Sequence, residues 1–267
     1  MTAALERVTD GFRVFDAHVH VGRWLTPDFA GRESDLADAA GVLAGAGVTG
    51  ALVMTTDARD NEGVLAAVRA WQGPLELRFA AWADPADPAA LPFLARNAGE
   101  VAALKVHASF ARLPITDPAF EPFLAHAGRA GLPVVVHCGR WREVAGWEMA
   151  LEAADRHPEV PFILSHMGGD SPALVLGAAQ AVRDRGLANA HLGTESIREY
   201  WLVRRALDLV GPEKVLFGSD HNLNHPGAFL AVARALGLDA ASEALVLGGN
   251  ARRLLAGSRR PGGPSAA

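Results

Sequence analysis

Short β-branched or aromatic runs alternate about eight times along the chain with longer Ala/Leu-rich stretches, separated by brief Gly, Pro and Asp punctuation. A chain written this way is a repeating βα unit. Its expected strands cover 12–20 (FRVFDAHVH), 50–54 (GALVM), 76–82 (ELRFAAW), 101–107 (VAALKVH), 132–138 (LPVVVHC), 160–166 (VPFILSH), 189–194 (NAHLGT) and 214–220 (KVLFGSD). Most are apolar at successive positions, as strands covered on both faces must be. Helix signals fill the gaps. Asp117 can cap a helix begun by Pro118, whose stripe of Phe120, Phe123, Leu124 and Ala127 ends at Gly131. Ser34 likewise precedes a stripe of Leu36, Ala39, Ala40 and Leu43 that stops at Gly47. The helices after the fifth and seventh strands close at 155–158 and at 211–212. Such units close most economically into a single (β/α)8 TIM barrel, with its active site at the C-terminal ends of the strands. A doubly wound open sheet is the alternative, but HVGRWLTPD, after the first strand, lacks the G-x-G-x-x-G turn of that fold.

Length agrees with one barrel: 267 residues, half of them apolar, against a typical size of about 250. The expected division is a barrel over 1–257 and a disordered tail over 258–267, where SRRPGGPSAA has nothing to bury. Net charge is −5 with both signs interspersed and no basic stripe, so nucleic acid is not an expected partner. The single Cys138 permits no internal disulfide framework and suits a reducing compartment. The opening MTAALERVTDGF has no secretory pattern, and no apolar run reaches about 18 residues. The expectation is a soluble, cytoplasmic protein with no membrane partner.

Polar residues collect where the parse puts the strand ends. His18 and His20, two apart in a strand, leave the backbone on one face with Asp16 behind them. Lys105 and His107 end the fourth strand, His137 the fifth and His166 the sixth; Thr194 and Glu195 follow the seventh, and Asp220 follows the eighth. Each has an ordinary structural reading. His137 could bond a carbonyl in the core, Asp220 could cap a helix, Lys105 could form an ion pair, and Glu195 could be the entry carboxylate of a helix near Ile197. His107 reads as easily as an exposed or structural residue. Together, at one end of one barrel, they read as a metal site centred on His18, His20, His137 and Asp220, since neutral imidazole is the commonest protein ligand for zinc and its neighbours.

With these motifs in order, DAHVH, ALKVH, VVVHCG, ILSHMGG, VLFGSDH and the closing GGNARRLL, the chain resembles the amidohydrolase superfamily over nearly its whole length, in the amidohydrolase-2 (amidohydrolase-related) branch. The resemblance implies a divalent metal centre of one or two ions, most often zinc, with manganese, iron, nickel or cobalt in some members. One-metal members use the positions matching His18, His20, His137 and Asp220, and leave the position of His166 to polarise water or substrate. Two-metal members add a bridging carboxylate or carboxylated lysine on strand four, where Lys105 stands, and His137 and His166 then hold the second ion.

Such a centre points to an enzyme that hydrolyses a small amide, lactone or ester through a metal-activated water. Asp220 would accept and return the proton, and His166 would stabilise the oxyanion. The alternative is metal-dependent, non-oxidative decarboxylation of an unsaturated or aromatic carboxylic acid; the retained His18 favours hydrolysis only slightly. A nuclease-like barrel would want a basic mouth, and a metal-binding protein without turnover would need no acid/base pair beyond the ligands. For the small-molecule substrate, candidate contacts are Trp24, His107, Arg140 and Trp141. Arg140 and Arg142, beside Trp141 and Trp147, suit a planar anion, although solvated arginines and packed indoles would account for the same loop. The loops are too short for a lid domain; a neighbouring subunit of a homo-oligomer could close the mouth.

Overall fold

The computed structural model describes residues 13–139 and 141–256. Among these described residues, nine strands form one sheet: β1 (Phe15–Arg23), β2 (Glu33–Ser34), β3 (Gly50–Thr55), β4 (Glu76–Trp82), β5 (Val101–Val106), β6 (Val134–Val136), β7 (Phe162–Leu164), β8 (Ala190–Gly193) and β9 (Val215–Leu216). Their order is β2-β1-β3-β4-β5-β6-β7-β8-β9. All neighbours are parallel except β2, which pairs antiparallel with the end of β1. The sheet curls until the segment beyond β9 meets β1. Ala17 N–H donates to the Phe217 carbonyl at 2.9 Å, Asp220 N–H donates to the His18 carbonyl at 3.0 Å, and Val19 bridges His221 in parallel. The fold is therefore the expected (β/α)8 barrel with one short extra strand.

Alternation along each strand sorts side chains between two cores. In β6, Val134 and Val136 join the large cluster between sheet and helices, whereas Val135 joins Phe15, Leu52, Met54, Ile163 and Leu216 in the smaller cluster inside the barrel. Leu255 packs against that inner cluster. Lys105 is in register with Val135 and His20 with Met54, so both belong to the inward-facing set. A bulge between Asp16 and Val19, where β1 advances three residues while β3 advances two, adjusts the aim of His18.

Several local expectations need correction. The cap of the helix Leu36–Gly45 is Asp35, whose carboxylate accepts from Asp38 N–H at 2.8 Å, while Ser34 lies in β2. Asp117 does cap as expected, accepting from Ala119 N–H at 2.9 Å, and Gly131 ends the helix Glu121–Ala130 at φ 64°. The later strands are shorter than their apolar runs, because residues such as His137 and His166 already belong to the loops above them. The expected tail, 258–267, lies outside the described residues, as does Arg140. No helix among the described residues is long and apolar enough to cross a membrane.

Candidate metal centre

β1 delivers His18 and His20 to the mouth of the barrel, both about 2% exposed, and the turn after β9 delivers Asp220 to the same point. His18 Nε2 lies 3.2 Å from His20 Nε2, and Asp220 Oδ1 lies 3.8 Å and 3.6 Å from the two. Ligand atoms of these three residues all fall within 4.8 Å of one another. The neighbours of the two rings settle what meets in the middle. His20 Nδ1 is 2.8 Å from the Thr55 carbonyl, which only accepts, and His18 Nε2 is 3.4 Å from Lys105 Nζ, which as an ammonium only donates. The protons therefore sit on Nδ1, and two Nε2 lone pairs oppose each other beside a carboxylate oxygen. Burial keeps the rings neutral, holding His18 well below the ordinary imidazole range and His20 at about 4. An arrangement of acceptors without enough donors fits a cation. The donor set, two imidazole nitrogens and one carboxylate oxygen oriented by outer hydrogen bonds, fits a divalent metal.

Lys105 Nζ stands 3.4 Å from His18 Nε2, and its burial lowers its pKa to about 8. Behind the pair, Asp16 is wholly buried, accepts from the N–H groups of His18 and Ser219 at 3.1 Å and 3.0 Å, and is pushed by burial up to about 7.

His137 and His166 form a second group beside the first. His166 Nδ1 is 3.0 Å from the Glu195 carbonyl and so carries a proton, and its Nε2 lies 3.1 Å from His137 Nδ1. His137 Nε2 is buried with no hydrogen-bond partner. His107 is buried and stacks on His137 with centroids 3.8 Å apart and planes 13° apart. The group gathered within 4.8 Å thus holds His18, His20 and Asp220 of the expected ligands; His137 and His166 pair separately.

The cavity over these groups has a volume of about 560 Å³, and His18, His20, Lys105, His107, His137, His166 and Asp220 all line it. Trp24 forms part of its wall with Phe29, the rings meeting edge to face at 4.8 Å. Asn222 fixes Trp24 by accepting from its indole N–H at 2.7 Å. Trp141 does not line the cavity and is half exposed, and Arg142 pairs on the surface with Glu148 at 3.1 Å.

Of the two readings open for Glu195, the strand-end one fits and the helix-entry one does not. Glu195 is 1% exposed and faces His18 rather than opening a helix. Two glycines make room: a Cβ on Gly193 would overlap the Glu195 carboxylate, and one on Gly218 would meet it at 3.0 Å. Ser196 was not singled out from the sequence, yet its hydroxyl donates to Asp220 Oδ2 at 2.7 Å. The one signal for it is its place in Thr-Glu-Ser directly after β8.

A closed (β/α)8 barrel with histidines and an aspartate converging at its C-terminal mouth defines a class of barrel enzymes that work at a strand-end metal site. The chain belongs to the amidohydrolase family, whose model matches residues 15–256, and it is an enzyme of that superfamily. Among solved structures, a zinc-bound amidohydrolase from Burkholderia multivorans is similar at 16% identity, covering 91% of this chain and 99% of its own, with a TM-score of 0.74. A 5-carboxyvanillate decarboxylase from Sphingomonas paucimobilis is similar at 18% identity, covering 92% and 99%, with a TM-score of 0.68. A manganese-bound dihydroxybenzoic acid decarboxylase from Polaromonas sp. JS666 is similar at 15% identity, covering 92% and 97%, with a TM-score of 0.70. These likenesses concern the fold. No curated protein sequence matches the chain.

Proposed function

We propose that this chain is a metal-dependent hydrolase of a small amide, lactone or ester. One observation supports the reading above the others: the Nε2 atoms of His18 and His20 meet at 3.2 Å beside the Asp220 carboxylate, a buried set of donor atoms that suits a divalent ion. His18, His20 and Asp220 would hold the ion, with the free Nε2 of His137 as the adjoining donor. A bound divalent ion supplies Lewis acidity toward a carbonyl and lowers the pKa of water to about 7. Zinc is the first candidate for such nitrogen-rich donors, and the zinc and manganese in two structural neighbours accord with a divalent ion.

The remaining chemistry belongs to the chain. Asp220 takes the proton of the attacking water and returns it to the leaving group. Lys105, whose ammonium lines the cavity, faces the negative charge that develops on the carbonyl oxygen. His166, the residue expected in that role, also lines the cavity, with its Nδ1 3.0 Å from the Glu195 carbonyl. A cavity of about 560 Å³ suits a small molecule, and Trp24 with Phe29 offers it a flat apolar wall.

That aromatic wall also supports the second reading, decarboxylation of an aromatic acid, as do the decarboxylases among the structural neighbours. A panel of lactones, amides, esters and aromatic carboxylic acids, followed by acid release and by evolved carbon dioxide, separates the two. Acid release without gas is expected; evolved carbon dioxide would replace hydrolysis by decarboxylation.

A further inference from the structure

Asp220 has two carboxylate oxygens, and the structure treats them differently. Oδ1 faces the Nε2 atoms of His20 and His18 at 3.6 Å and 3.8 Å, while Oδ2 turns away and accepts the Ser196 hydroxyl at 2.7 Å. A serine hydroxyl has a single proton and can rotate it. Here the rotation is fixed, because the Asn224 side-chain amide donates to Ser196 Oγ at 2.9 Å and occupies the oxygen from the other side. Asn224 is itself anchored on the same turn, its backbone N–H donating to the Asp220 carbonyl at 3.1 Å. Ser196 and Asp220 both lie at positive φ, 62° and 63°, so the link joins two sharply turned loops, one after β8 and one after β9.

We infer that Ser196, oriented by Asn224, is a positioning residue that restricts Asp220 to one-oxygen donation at the metal centre. With Oδ2 engaged, the carboxylate cannot rotate to present both oxygens to an ion held by His18 and His20. Its free lone pairs stay on the cavity side, where the proposed function needs a proton acceptor. Glu195, Ser196's neighbour in the chain, lies 3.0 Å from His18 Nδ1, so one dipeptide touches two separate ligands. The inference rests on the reading of His18, His20 and Asp220 as a metal centre.

Cobalt(II) is the probe, because its visible absorption reports coordination. Wild-type protein, Ser196→Ala, Ser196→Gly and Asn224→Ala are stripped with chelator and reloaded with cobalt(II). Spectra, cobalt Kd by chelator competition and melting of the metal-free forms are recorded. Glycine accepts positive φ without steric cost, so Ser196→Gly removes the hydroxyl while sparing the backbone. Both Ser196 variants are expected to change the cobalt spectrum toward higher coordination and to raise the Kd about 10–100-fold. Asn224→Ala should move both in the same direction, by less. A wild-type spectrum and Kd in Ser196→Gly overturns the inference, and so does a changed spectrum in Ser196→Ala that Ser196→Gly fails to reproduce. Absence of cobalt uptake by the wild-type protein defeats the metal centre itself, and that result is read before any variant is compared.

Discussion

Glu195 Oε1 lies 3.0 Å from His18 Nδ1 with both side chains 2% exposed, which sets a buried carboxylate behind the imidazole. A carboxylate on the far side of a ligating imidazole fixes its tautomer and raises its basicity. Replacing Glu195 by Gln keeps an acceptor oxygen of the same size and removes the charge. Metal affinity of Glu195→Gln, measured by chelator competition, is expected to fall about 10–100-fold with the fold retained. An unchanged Kd would reduce the contact to packing.

Gly193 protects the same carboxylate sterically, since a Cβ there would overlap it. Gly193→Ala is therefore expected to cost about 1–3 kcal/mol in denaturant unfolding and to weaken metal binding as Glu195 is displaced. Full stability together with full affinity would show that Glu195 has room elsewhere.

How much of this was legible in the sequence varies with the kind of information each feature needs. The barrel could be read because strand and helix periods alternate along the chain, and His18 and His20 could be paired because a strand repeats every two residues. Glu195 stayed open between a strand-end group and a helix-entry carboxylate because its inward aim depends on the positive-φ turn at Ser196 and on space left by Gly193, neither of which periodicity encodes. The His137–His166 pair, too, depends on the lateral spacing of β6 and β7, which one-dimensional patterns do not contain. Arg142 looked like a substrate contact, but Glu148, six residues on, engages it at the surface. The helix cap moved from Ser34 to Asp35 because two residues of that loop pair with β1 instead.

A buried histidine remote from the metal site should leave its mark on stability. Burial, reinforced by Lys214 and Arg253, lowers the pKa of His191 to about 4, and its Nδ1 has no hydrogen-bond partner. The unfolded chain then binds a proton near pH 6.5 that the folded chain refuses, so stability is complete above that pH and declines as pH falls toward 4. The decline due to this group is on the order of 3 kcal/mol at pH 4. His191→Gln should flatten the slope of unfolding free energy between pH 6.5 and 4 relative to wild type. An identical slope in both proteins would assign the proton uptake to other groups.

Metal binding and folding are linked, because the ligands converge only in the closed barrel. With free zinc at 100 times its Kd, the folded state should gain about 2.7 kcal/mol, visible as a raised melting temperature that chelator reverses. In His18→Ala combined with His20→Ala, zinc should leave the melting temperature unchanged. A zinc-dependent rise in that variant would locate the stabilising site elsewhere.

The most direct measurement is anomalous diffraction at the zinc absorption edge from crystals of the zinc-loaded protein. A single strong peak about 2.0–2.2 Å from His18 Nε2, His20 Nε2 and Asp220 Oδ1 is the expected result. Loaded crystals with no peak between those three atoms, or with the ion bound at other residues, would contradict it.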